Sequence, residues 1–294
     1  MDGWLGREVG RQDAGVSGSV CAILKGEIIM SELIVVPAHE VTPALRALFA
    51  EDQPLALRCF AVLDGSIRGR IWADDPIRPT WGAVQEWAWG TLFFGGNPPA
   101  ELVHALIAKL QREGGVELAL WPDHPYNQLL PPHPDEDAWE LAFTNRPLGT
   151  DPVPGLVVPA GCELVPIDAT WFERCRYRDA YLGYFGTAER ALAQGFGFCL
   201  VKGAELLCEA FAGESALGLI EIGVITGEAC QRRGYATLCC ARCIREAETR
   251  GYRTYWCCDK ANLGSAALAR KLGYQTEREY RFVHWGAPER STTS

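Results

Sequence analysis

The chain has 294 residues, 48% of them hydrophobic and 22% charged, with a formal net charge of −9. This length accommodates two domains of ordinary size, and the composition excludes a disordered or fibrous chain. Residues 1–150 carry 11 Lys and Arg against 20 Asp and Glu, whereas residues 151–294 carry 17 of each. An acidic half speaks against a nucleic-acid partner. It is either solvated surface charge or a field that steers a cationic ligand such as an amine.

Residues 1–29 are rich in glycine, mixed in charge and without sustained periodicity, the pattern of a disordered leader. Lys25 and Glu27 follow the apolar patch at residues 20–24, which is not the pattern of a secretory or transit peptide. No apolar run reaches the length of a membrane span. The expected location is the cytoplasm, where the twelve cysteines would be free thiols. Leu45, Leu48 and Phe49 predict a short helix over residues 43–51. The apolar run 55–63 reads as a strand closed by a turn at Asp64-Gly65, and residues 67–73 read as a second strand. Residues 81–94, with Trp81, Trp87, Trp89, Phe93 and Phe94, read as strands around a turn. Lacking basic residues, they do not form a nucleic-acid stacking surface. Leu102, Leu106 and Leu110 share one face of a predicted helix over 99–113, ended by Gly114-Gly115. A short strand over 116–121 follows. His124 and His133 stand among prolines and carboxylates in a connecting segment, a setting commoner without metal than with it. The proline- and glycine-rich stretch 145–159 is the predicted linker and sets a boundary near residue 150, giving domains 30–150 and 151–294.

The second half reads as a strand over 162–167, a helix over 168–184, a short helix over 187–194 and three strands over 196–201, 205–214 and 217–226. Then comes Gln231-Arg232-Arg233-Gly234-Tyr235-Ala236, a basic turn bearing a glycine, at the start of a helical run over 236–250. A helix N-terminus offers unpaired N–H groups and the positive end of the macrodipole, which suits a phosphate. Gly234 admits close backbone approach, and Arg232 and Arg233 add charge. The turn has neither the Gly-Lys-Ser/Thr end of a Walker loop nor the three glycines of a Rossmann fingerprint.

This Gln-x-x-Gly-x-Ala turn after an apolar strand resembles the acetyl-CoA motif of the GNAT superfamily of N-acyltransferases. The stretch from Asn262-Leu263-Gly264-Ser265 to Lys271-Leu272-Gly273-Tyr274 resembles the superfamily's Asn-x-x-Ala/Ser…Lys-Leu-Gly-Phe segment. With Glu221-Ile222-Gly223-Val224-Ile225-Thr226 and Trp256-Cys257-x-Asp259-x-x-Asn262, the pattern is similar to a GNAT family whose N-terminal half lacks the motif. The resemblance implies an α/β fold with a mixed sheet of α+β type: a GNAT fold over 151–294 and a degenerate GNAT-like domain over 30–150. That first domain would pack, orient or recognise, not bind CoA. It also implies acetyl-CoA as cosubstrate and an amine-bearing small molecule attacking directly in a ternary complex. The expected state is a monomer or homodimer with no nucleic-acid or membrane partner.

By the same resemblance Val224, Ile225 and Thr226 pair with the pantetheine arm, one backbone N–H there facing the thioester oxygen. Gln231, Arg232, Arg233, Gly234, Tyr235, Ala236 and Thr237 hold the pyrophosphate. Asn262 contacts pantetheine or orders the loop before its helix, aided by Ser265. Glu221, an acid in an apolar strand, is the candidate base, since burial raises a carboxyl pKa toward a useful range. A solvent-facing position or an arginine partner is the alternative for such a residue. Where the family often has a tyrosine as acid toward the thiolate, this chain has Ala269, so water serves or no acid is needed. The missing tyrosine favours a rival reading, an acyl-CoA sensor without catalysis. A groove for a peptide N-terminus or a lysine is a third. Cys239, Cys240, Cys243, Cys257 and Cys258 fit a packed helix and strand better than the loop-borne ligands of structural zinc. No cysteine has a histidine near it in sequence, as a nucleophile–base pair would suggest. Metal analysis of the purified protein is expected to find no stoichiometric zinc that survives dialysis.

Overall fold

The computed structural model describes residues 33–286, so the leader expected over 1–29 lies outside the described residues. Side-chain caps fix several helix starts. Thr42 Oγ1 accepts from Leu45 N–H ahead of α1 (Pro43–Arg46), and Asp168 accepts from Trp171 N–H ahead of α4 (Ala169–Phe172). Thr187 does the same for α6 (Ala188–Gln194), which follows α5 (Arg178–Phe185). The single helix predicted over 168–184 is thus two helices, interrupted at residues 173–177.

Residues 55–63 form a helix, not the expected strand. In α2 (Ala56–Leu63) all eight residues are buried, including Arg58. With no solvent face, no 3.6-residue period reaches the sequence, and a short apolar run reads equally as a buried strand. Leu55 begins the helix at φ 57°, and its N–H donates to the Tyr255 hydroxyl at 3.4 Å.

β1 (Ile34–Val35), β2 (Gly69–Ala73), β3 (Trp81–Glu86) and β4 (Leu92–Gly96) form a four-stranded sheet in that order. Helix α3 (Ala100–Glu113) then leads to β5 (Val116–Leu120), whose Glu117 makes one parallel bridge to Thr91, the residue before β4. Residues 136–144, for which the sequence suggested no element, form β6 (Glu136–Thr144). No helix or strand occurs over 145–162. The second half supplies β7 (Glu163–Pro166), β8 (Phe196–Lys202), β9 (Glu205–Ala216) and β10 (Leu219–Thr226), then α7 (Tyr235–Thr249), β11 (Arg253–Asp259), α8 (Leu263–Lys271) and β12 (Thr276–Trp285).

These strands make an eight-stranded sheet in the order β5-β12-β6-β11-β10-β9-β8-β7. Its centre is an exchange. β12, from the end of the chain, lies antiparallel between β5 and β6, while β6 lies between β12 and β11. The segment near residue 150 therefore joins halves that share one sheet.

Helix α2 packs on β3 from the first half and on β9 and β10 from the second. One core cluster joins Leu45, Phe60, Tyr181, Phe211 and Tyr280 on that side. On the other side of β8–β11, α7 and α8 bury Cys239, Cys243, Ile244, Trp256 and Leu272. The eleven described cysteines are unpaired thiols, and those of α7 act as small apolar groups against β9. No helix among the described residues is long and apolar enough to cross a membrane. Because β12 pairs with β5 and β6 of the first half, and β6 pairs with β11 of the second, calorimetry is expected to show one cooperative melting transition, and two resolved transitions would mean that the halves fold independently. Phe282→Ala in β12, where Phe282 is 2% exposed, is expected to cost about 3–5 kcal/mol in urea unfolding.

Candidate active site

β10 and β11 pair in parallel only from Leu219 to Glu221, opposite Arg253 to Tyr255. Beyond that point β10 stays with β9, and β11 stays with β6 from Trp256 to Asp259. The two strands part and leave a V-shaped gap, with a register irregularity in β10 at its apex between Ile220 and Ile222. Gly223, Val224, Ile225 and Thr226 line the β10 side and are half-exposed. Backbone groups freed at such a gap need another partner.

The open end of β10 runs through a short turn into α7. Gly234 is the N-cap at φ 79°, with no side-chain cap, and the first turn carries no acid. A Cβ built at Gly234 meets nothing within 4 Å, so the space in front of the helix is open. Gln231, Arg232 and Arg233 are exposed, and Arg232 is also left-handed at φ 59°. Lys271, at the end of α8, brings its Nζ within 3.4 Å of Thr237 Oγ1 in the first turn of α7. The turn is therefore an N–H-rich, cationic cradle with a third basic side chain. The sequence motif contained Lys271 without marking it as a ligand; only the packing of α8 brings it here.

Asn262 and Ser265 have partners within the protein. Asn262 Oδ1 caps α8 by accepting from Ser265 N–H at 3.0 Å, and Ser265 Oγ accepts from Trp256 Nε1 at 3.1 Å. Ala269 is fully buried against α7 and β11, far from solvent. His124 Nδ1 accepts from Tyr126 N–H, and among the described residues no group of three or more His, Cys, Asp and Glu could hold a metal.

On the face of the sheet away from α7 lies a buried set of acids. Glu221 is 7% exposed, and Arg58 of α2 grips it through Nε–Oε2 at 2.9 Å and Nη2–Oε1 at 2.6 Å. The Cys257 thiol, across the gap on β11, donates to Oε1 at 3.1 Å. Glu214 Oε1 lies 4.0 Å from Arg58 Nε. Burial, reinforced by the Glu221 charge and opposed by Arg58, pushes the Glu214 carboxyl up to about 8. Nearer the mouth, burial lifts Glu209 to about 6, while the Tyr177 N–H and the Arg176 side chain oppose the rise. Burial likewise raises the Cys257 thiol well above its ordinary range. The site thus sets a cradle for an anion on one side of the gap and carboxylates of graded acidity on the other. Two surface hollows, of about 610 and 370 Å³, lie elsewhere. The larger is lined by Leu148, Arg245 and Tyr252, and Thr249 and Gly251 place it at the carbonyl end of α7, the wrong pole for a phosphate.

A family model described as GNAT acetyltransferase matches residues 47–283. An uncharacterized N-acetyltransferase of Bacillus subtilis, YdfB, is 25% identical over 256 residues, covering 83% of this chain and 95% of that protein. Among solved structures, a GCN5-related N-acetyltransferase-like protein from Streptococcus suis superposes with a TM-score of 0.65 at 22% identity, covering 84% of this chain and 100% of the other. A tandem GNAT protein from the clavulanic acid biosynthesis pathway superposes with a TM-score of 0.51 at 13% identity, covering 87% and 100%.

The raised Glu214 carboxyl has a consequence for stability. Its folded pKa lies above the unfolded value, so between roughly pH 4.5 and pH 8 the folded state holds a proton that the unfolded state has lost. Stability from this group is complete below that window and falls as pH rises through it, by on the order of 5 kcal/mol. Glu214→Gln is expected to flatten this slope in denaturant titrations run from pH 5 to pH 9.

Proposed function

Because the chain belongs to the GNAT acetyltransferase family, we propose that it moves an acetyl group from acetyl-CoA to a primary amine of a small molecule by direct attack in a ternary complex. The gap between β10 and β11, opening beside the uncapped start of α7, is the observation that carries this reading. The order of its parts along the chain suits the donor: an open strand edge for the pantetheine amides, then N–H groups and basic side chains for the pyrophosphate. Val224, Ile225 and Thr226 would supply the edge. Gln231, Arg232, Arg233, Gly234, Tyr235, Ala236 and Thr237 would supply the cradle, joined by Lys271. Asn262 and Ser265 act by holding the loop between β11 and α8 in place. Acetyl-CoA supplies an activated acyl group.

The acceptor approaches from the face that carries Glu221 and Glu209. Glu221 is the base in this reading. Oε1 already accepts two donors and Oε2 only one, so the remaining lone pair of Oε2 is where the amine's proton goes. The acids at this face favour a cationic amine. The first half reads as a degenerate copy of the second: β1–β4, α3 and β5 repeat the order β7–β10, α7 and β11, and the tandem GNAT protein offers a parallel for such a pair. Its own strand gap is laced shut near the base, where the Thr91 hydroxyl lies 2.9 Å from Glu86 and 2.8 Å from Glu117. The alternative, an acyl-CoA sensor without turnover, draws support from Ala269 and from the grip of Arg58 on Glu221.

Gly234→Glu adds a carboxylate where a pyrophosphate would lie and a side chain at φ 79°. Acetyl-CoA affinity by calorimetric titration is expected to fall tenfold or more, about 1.4 kcal/mol. Unchanged affinity in a folded variant would remove the cradle. Glu221→Gln is expected to bind acetyl-CoA as the parent does, to lose roughly 10²–10⁴ in turnover, and to recover partly at high pH as more amine is free base. A sensor would instead bind acetyl-CoA and leave an amine panel untouched.

A further inference from the structure

Arg58 is the single charged residue of α2, and its side chain crosses from the first half of the chain to the apex of the gap in the second. The guanidinium meets Glu221 with both prongs of its fork, and the same Nη2 lies 3.8 Å from Cys257 Sγ. The pairing of β10 with β11 ends at Glu221 and Tyr255, so Cys257, two residues on, is on the same face of β11 as Tyr255. Arg58 therefore spans both arms of the gap where they begin to part. A buried ion pair is a weak source of stability, because desolvation offsets the attraction. Its fixed, bidentate geometry is better suited to orienting a carboxylate than to holding the fold.

We propose that Arg58 is a positioning residue for acetyl transfer, contributed by the otherwise degenerate half, which aims the free lone pair of Glu221 Oε2 into the gap. The assignment rests on the acetyltransferase reading above. In the reaction the amine nitrogen forms a bond to the acetyl carbon, the carbon–sulfur bond breaks and its electron pair leaves on sulfur. The proton lost from nitrogen passes to Oε2 and on to solvent or to the departing thiolate. Without the fork, the Glu221 side chain is free to swing toward Cys257 or out of line. The second half would then keep its cradle but lose an aligned base. The groups that face Glu221 are Arg58 from α2, Glu214 from β9, Tyr255 and Cys257 from β11, Tyr184 from α5 and Tyr177 just before it. Glu86 from β3 faces Arg58 from behind. Tyr184 is fully buried beside Arg58, and its hydroxyl has no hydrogen-bond partner among the described residues.

Arg58→Lys tests this, since it keeps a charge at the site but not the fork; Arg58→Gln makes the same comparison without charge. Both are measured for acetyl-CoA affinity by calorimetry, for kcat and KM with the best amine of a panel, and across pH 5–10. The expected result is acetyl-CoA affinity and KM within twofold of the parent, kcat lower by tenfold or more, and the low-pH limb of kcat/KM displaced upward. Carboxylate carbon NMR on 13C-labelled protein, with Glu221 identified by its loss in Glu221→Gln, is expected to show the same displacement without turnover. Parental kcat with an unmoved limb and an unmoved Glu221 signal in a folded Arg58→Lys would overturn the assignment alone. A parent that binds acetyl-CoA and acetylates no amine would overturn the reading beneath it as well.

Discussion

The hydrogen bonds that lock β6 and β12 together, from Thr276–Thr144 to His284–Glu136, are the constraint on which the rest of the molecule depends. Backbone N–H and C=O groups inside a protein must be paired. At Glu221 β10 turns away from β11, and β11 would then present a bare edge. β6 pairs with the opposite edge of β11 from Trp256 to Asp259, which holds that strand in the sheet while its β10-facing edge borders the gap. β6 can do so because its own far side is satisfied by β12. A strand from the first half thus holds one wall of the gap in the second.

The same economy of parts governs charge. The acidic excess of the first half suggested solvated surface, yet Glu86 and Glu117 are buried in it. Glu86 accepts from the N–H groups of Ala88, Trp89 and Thr91, so the loop between β3 and β4 is wrapped on a carboxylate. The sheet face under α2 gathers Glu86, Glu214 and Glu221 about one guanidinium. In so dry a place burial raises the Glu86 and Glu214 carboxyls, while Arg58 opposes the rise in both. The cluster arises from two packed halves: Arg58 and Glu86 come from the first, Glu214 and Glu221 from the second.

Much of this was legible in the sequence where local chemistry decides. The turn from Gln231 to Ala236, the strands on either side of it and the Asn262 helix carry short-range signals of periodicity, glycine and capping, and the elements lie where those signals put them. Two features were not legible, and both are long-range. The 55–63 run is buried on every side, so its helical period is erased, and with the helix went the significance of Arg58. Glu136–Thr144 places acids and Trp139 on partly exposed positions, and its strand character depends on partners far along the chain. The candidate donor site could thus be read from motif alone, whereas the arginine behind Glu221 could not.

The exchange of closing strands also sets an order of events at the ribosome. Glu140 and Tyr280, hydrogen-bonded in the finished sheet, are 140 residues apart in sequence. At synthesis rates of roughly 5–20 residues per second, the nascent first half waits on the order of ten seconds for the strand that completes it. During that interval β5 and β6 offer unpaired edges to any other chain on the same message. Neighbouring nascent copies could trade their last strands with one another as readily as with themselves, giving swapped dimers or tangles. Slow elongation, low temperature and holding chaperones should therefore decide how much of this protein leaves the ribosome as single, correctly closed molecules.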